Sequence, residues 1–118
     1  MPFPDQHLVV QLEGLNLFYS VRFKRPVYSD ENIAVFRLRW TLDLFDLEEN
    51  DIIVIYFRNE DKLIFFNNDD SEDIAIGRIK KNGKLSIYKG ATHSLKKEFK
   101  KLLKKYPQAE SCLAMLKL

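Results

Sequence analysis

A chain of 118 residues, 46% hydrophobic and 31% charged, is too apolar to stay disordered and has the size of one core, so a single domain over 1–118 is expected. Its one cysteine, Cys112, excludes an intrachain disulfide and a thiolate-only metal site, and no apolar run approaches the roughly 18 residues of a membrane span. The formal net charge of +2 conceals two opposed blocks: residues 1–77 hold 7 Lys and Arg against 15 Asp and Glu, and residues 78–118 hold 12 against 2. Such segregation suits an acidic partner for the C-terminal part, or attraction between the two halves across the fold.

The opening MPFPDQH has neither a basic segment nor an apolar one, so a soluble, cytoplasmic protein without membrane association is expected. Leu8, Val10 and Leu12 alternate as in a half-buried strand, and Leu17 to Lys24 alternates again after Gly14. A tight turn at Gly14-Leu15 sets Leu8 opposite Val21 and Val10 opposite Tyr19, a self-consistent hairpin. Pro26 ends that strand for want of an N–H, and Ser29 to Asn32 supplies turn chemistry.

A third strand is expected from Ile33 to Trp40. Paired antiparallel with the second, it would set Phe23, Val21, Tyr19 and Leu17 against Ala34, Phe36, Leu38 and Trp40 as a core face. Phe18, Arg22 and Lys24 would then join Arg37 and Arg39 on the reverse side. Basic residues beside an aromatic ring on a sheet can hold single-stranded nucleic acid, although Phe18 and Arg39 would also make an ordinary cross-strand cation–π pair.

Thr41 to Asn50 fits neither the helical nor the strand period. Ile52 to Phe57 is apolar without a break and short enough for a strand covered on both faces. It turns at Asn59-Glu60-Asp61 into a fifth strand, Lys62 to Asn67. The polar stretch from Asn67 to Asp73 does not match a calcium loop, since Glu72 stands where glycine belongs and Arg78 where glutamate belongs. Lys81-Asn82-Gly83 then punctuates a hairpin, and a three-residue loop with Gly83 in the left-handed region opposes Leu85 to Ile79.

One helix is clear, with Ser94 as its expected N-cap and Pro107 just past its end. Leu95, Phe99, Leu102, Leu103 and Tyr106 form its apolar stripe. Trp40 and Phe99 should meet between sheet and helix. The stretch after Pro107 is expected as a short second helix or a docked tail. The fold class that emerges is α+β: an antiparallel meander of about six or seven strands with one C-terminal amphipathic helix packed on it.

FRLRWTLDLFDLEENDIIVIYF, from Phe36 to Phe57, resembles the strand, turn and strand entry of the AbrB-like swapped-hairpin DNA-binding regulators. Asn50 stands where that family has glycine and Asp51 where it has aspartate. The likeness spans about a fifth of the chain. Neither the flanking hairpins nor the C-terminal helix belongs to that family, so the assignment is not adopted.

The helix surface is the sharpest functional feature. Lys96, Lys97, Lys100, Lys101, Lys104 and Lys105 share it with a single acid, Glu98. Lysine solvates helices well, but Lys96 and Lys97 lie near the positive end of the helix dipole, and a face built for stability alone would carry more glutamate. The leading expectation is a non-enzymatic module whose basic helix engages nucleic acid or another polyanion. The alternative is a protein-interaction module, homodimeric or not, that meets an acidic protein surface. A small metal-dependent hydrolase or nuclease built on Asp43, Asp46, Glu48, Glu49 and Asp51 or on Asp69, Asp70, Glu72 and Asp73 ranks third. His7 and His93 share no ligand spacing, and no glycine-rich nucleotide loop or nucleophile elbow occurs, so no metal, cofactor or catalytic residue is nominated.

Overall fold

The computed structural model describes residues 6–12, 18–23, 25–40, 50–68, 74–79, 85–88 and 92–116. Six strands follow one another as an antiparallel meander: β3 (Tyr28–Ser29), β4 (Ile33–Trp40), β5 (Asn50–Phe57), β6 (Lys62–Asn67), β7 (Ile74–Ile79) and β8 (Leu85–Tyr88). The N-terminal hairpin of β1 (Gln6–Leu12) and β2 (Phe18–Phe23) extends this sheet. It does so by laying β1 parallel to β8, with Val10 beside Leu85 and Leu12 beside Ile87. Two helices close the chain, α1 (Thr92–Lys105) and α2 (Pro107–Leu116).

The expected α+β class and antiparallel meander are present, with a second helix in place of the tail. Pro107 opens α2 at the position where its missing N–H costs least. Tyr106 alone separates the helices; its N–H donates to the Leu102 carbonyl and its own carbonyl accepts from the Ala109 N–H. α1 begins at Thr92, so Ser94 is its third helical residue and not the N-cap expected from the sequence.

Both short-range registers deduced from alternation are found. Leu8 opposes Val21 and Val10 opposes Tyr19, while Ile79 opposes Leu85. The turn residues around Gly83 lie outside the described set. Between β5 and β6, Asp61 adopts a left-handed φ of 52°, a conformation that Asp tolerates better than most residues. At the start of β4, Asp30 Oδ1 accepts the N–H groups of Asn32 and Ile33, which turns the chain out of the short strand β3.

The expected pairing of the second strand with the strand at Ile33–Trp40 is overturned. β2 pairs with β1, and β4 lies between β3 and β5, with five strands separating it from β2. Arg37 therefore faces Ile53, and Arg39 faces Asp51.

Each face of the meander carries a buried cluster. One comprises Ala34, Phe36, Leu38, Ile52, Val54, Leu63, Phe65, Ala75, Leu85 and Ile87, with all these members on strands β4 to β8. The other joins Ile33, Val35, Ile53, Ile55, Phe57, Ile64, Phe66 and Ile74 to the inner sides of both helices. Leu95, Phe99, Leu102 and Tyr106 are all buried there, Phe99 against Phe66 at 6.1 Å between ring centroids and Tyr106 against Phe57 at 5.5 Å. Burial of each such side chain contributes roughly 1.5–3 kcal/mol, so this stripe fixes α1 on the sheet. β5 is consequently covered on both sides, as its unbroken apolar run requires. The Trp40 side chain lies outside the described set.

Candidate functional site: the outer face of the lysine helix

Docking the apolar stripe inward leaves the basic residues of α1 facing outward. Lys97, Lys100, Lys101, Lys104 and Lys105 are exposed and Lys96 is half-buried. The carboxylates of Glu60 and Glu98 reach this surface. Glu60, in the turn between β5 and β6, accepts hydrogen bonds from Lys105 Nζ and, at 3.2 Å, from the Tyr106 hydroxyl. Glu98, within α1, forms an ion pair with Lys62 of β6. The hydrogen bond from Lys105 holds the Glu60 carboxyl below its ordinary range, and the same bond raises Lys105.

Those contacts leave Lys97, Lys100, Lys101 and Lys104 without an ion pair among the described residues. Their spacing of i, i+3, i+4 and i+7 gathers them on one strip of the helix, about 10 Å from first to last. Like charges at these spacings repel slightly, so the strip does not stabilise the helix that carries it. Lys104 and Lys105 lie in the last turn, where the helix dipole favours cations; Lys97, the sixth residue of the helix, lies outside both terminal turns.

Between this helix and the β5–β6 turn runs a cleft of about 430 Å³, lined by Glu60, Lys62, Ser94, Lys97, Glu98, Lys101, Leu102 and Lys105. Glu60, Lys62 and Ser94 were not nominated from the sequence as parts of a site. The only local signal is that Glu60 and Lys62 flank a turn; what brings them to α1 is the docking of the helix.

The second group nominated from the sequence is not assembled. With five strands between β2 and β4, Arg37 and Arg39 are not cross-strand neighbours of the segment carrying Phe18 and Arg22. The side chains of Phe18 and Arg22, and all of Lys24, lie outside the described set. Nor is the reverse side of β4 an open face. It carries Ile33 and Val35 beneath the helices before Arg37 and Arg39 emerge beyond them.

Arg37 is committed to structure there. Its Nε donates to Asp51 Oδ1 at 2.9 Å and its Nη2 to Asp51 Oδ2 at 2.8 Å, a two-point pair. Asn68 Nδ2 adds a third donor at 3.1 Å, and the Asn68 N–H donates to the Asp51 carbonyl. The Arg37 hydrogen bonds, reinforced by Asn68 and opposed by partial desolvation, hold the Asp51 carboxyl below its ordinary range. Arg39, exposed opposite Asp51, adds favourable charge.

Among the described residues no three His, Cys, Asp or Glu are grouped so as to hold a metal ion. Most of the acidic stretches, 41–49 and 69–73, lie outside the described set. Cys112 is buried beneath α2, and burial pushes its thiol up, away from the reactive thiolate form. No described helix is long and apolar enough to cross a membrane. Comparison with protein-family models, curated proteins and solved structures gives no match.

Proposed function

We propose that the protein is a non-enzymatic binding module whose helix α1 engages nucleic acid or another polyanion through Lys97, Lys100, Lys101 and Lys104. One observation carries the reading: these four ammonium groups lie exposed on one strip of a docked helix, without an ion pair among the described residues. Lys62 and Lys105 have carboxylate partners, which singles out the four as the surplus. A strip of point charges suits phosphate backbone, which is recognised by charge and spacing rather than by base identity.

The test is binding to short single- and double-stranded DNA and RNA at several salt concentrations. Replacing Lys97, Lys101 and Lys104 together with Gln is expected to weaken binding to every sequence. It should also flatten the slope of log affinity against log salt by roughly 2–3 units, about one per lost phosphate contact. Absence of any association at low salt refutes the reading.

A protein partner with an acidic surface is the second reading, favoured by the open edge at β3. Val27 and Tyr28 are exposed large apolar residues there, and β3 has β4 as its one neighbour in the sheet. Stoichiometric capture of a protein, or a self-complex, that the lysine variant abolishes without any nucleic-acid binding would replace the first reading with this one.

A further inference from the structure

The cleft beside α1 has a charge pattern of its own, distinct from that of the outward strip. Four lysines line it, Lys62, Lys97, Lys101 and Lys105, against two glutamates, Glu60 and Glu98. Both glutamates are engaged with lysines of the same cleft, Glu98 with Lys62 and Glu60 with Lys105. The Tyr106 hydroxyl donates to Glu60 as well, which fixes that carboxylate from a second side. Among the described residues, Lys97 and Lys101 are the cleft lysines without an ion pair, one helical turn and about 6 Å of rise apart. Ser94 continues their line toward the start of the helix and adds a hydroxyl, and Leu102 contributes an apolar wall.

We infer that this cleft binds a free small molecule bearing a phosphate monoester, its phosphate held by Lys97, Lys101 and the Ser94 hydroxyl. A phosphate monoester carries a charge of roughly −1.5 to −2 at neutral pH, which matches two unpaired ammonium groups. It also presents three acceptor oxygens to three donors, and hydrogen bonds between two charged partners are the stronger kind. The Lys62–Glu98 and Lys105–Glu60 pairs form the walls, so those lysines are positioned before a ligand arrives and the glutamates do not swing freely into its place. A cleft of about 430 Å³ lies within the range of small-molecule sites, large enough for a phosphate with a sugar or nucleoside attached. Lys100 and Lys104 lie on the same helix but outside the cleft.

That division of the helix supplies the test. Adenosine 5′-monophosphate, glycerol 3-phosphate and, as a plain dianion, sulfate are titrated by calorimetry into the full-length protein at about 0.15 M salt, where diffuse attraction is screened. Saturable one-to-one binding of at least one monoester, at least tenfold tighter than sulfate, is expected. Lys97→Gln or Lys101→Gln should weaken it by about tenfold, the scale of one charge-assisted hydrogen bond. The double variant K100Q/K104Q should change it less than twofold.

Equal binding of sulfate, equal loss in K100Q/K104Q, or no saturation by either monoester would each overturn the inference. K100Q/K104Q also separates it from the polyanion reading: that variant should lose nucleic-acid affinity while keeping the monoester. Monoester binding without nucleic-acid binding leaves this site standing and removes the other. The reverse pattern removes this site alone.

Discussion

The corner around Arg37 and the outer strip of α1 are both basic, and both were nominated from the sequence, yet they have opposite fates. Arg37 meets Asp51 by two parallel hydrogen bonds, and Asn68 donates to the same carboxylate. Lys97, Lys100, Lys101 and Lys104 have no such partner among the described residues. A planar guanidinium at a sheet position is held by its neighbours and can saturate a nearby acid, whereas lysines on a solvent-facing helix are left as mobile point charges. Charge of one sign is therefore structural in one place and available in the other.

The comparison requires that α1 be a fixed platform, and removing its anchor gives the largest expected effect. Phe99→Ala deletes a buried aromatic packed on Phe66 and should cost about 3–5 kcal/mol in chemical denaturation. Unchanged stability would show that the helix does not dock through this stripe.

A smaller loss is expected at the paired corner. Asp51→Ala removes both hydrogen bonds that the Arg37 guanidinium makes to this carboxylate, but Arg37 is about half exposed, at 49% for its side chain, and can turn to water. The cost should be about 1–3 kcal/mol, below that of a fully buried pair. A loss smaller than that of an ordinary surface substitution would mean that the corner is not structural.

Acid titration sharpens the same contrast. Asp51 has a folded-state pKa below its ordinary value of 3.8 because Arg37 and Asn68 stabilise the carboxylate. The stabilisation it brings is present above that ordinary value and is lost as pH falls through the lower, folded value. Denaturation midpoints followed down to about pH 2 should fall less steeply in Asp51→Ala. Part of the fall will persist, because Asp30 is also held low: desolvation opposes this, and the N–H groups of Ile33 and Asn32, with further hydrogen bonds, outweigh it.

The smallest effect on stability belongs to the open strip. Lys97, Lys101 and Lys104 changed together to Gln should move the denaturation midpoint by an amount equivalent to no more than about 0.5 kcal/mol per site, since glutamine keeps helix propensity and no ion pair is lost. A large loss would show that these lysines have an unrecognised structural role and would erase the contrast with Arg37.

From residues alone, the sequence determined the longer elements, their short-range registers and the two sides of α1, but not the two-residue strand β3, which falls where turn chemistry is expected. Strict alternation in β1, β2 and β7 flips every side chain if pairing slips by one residue, so Leu8 with Val21 and Ile79 with Leu85 follow once a short turn joins the strands. The 3.6-residue period likewise sorts Leu95, Phe99, Leu102 and Tyr106 from the lysines before any partner is known. Tertiary structure alone decided which strands lie side by side across long stretches of chain. Alternation specifies a face but not a neighbour: the free edge of β2 would match β4, yet in the structure the hairpin joins the sheet through β1 parallel to β8 and β2 ends the sheet order. The same holds for charge: Glu60 lies 45 residues from Lys105, and no local pattern distinguishes the lysine it will neutralise from those it will not. Only the docking of α1 on the sheet brings that carboxylate to one end of the helix and leaves four exposed ammonium groups without an ion pair among the described residues.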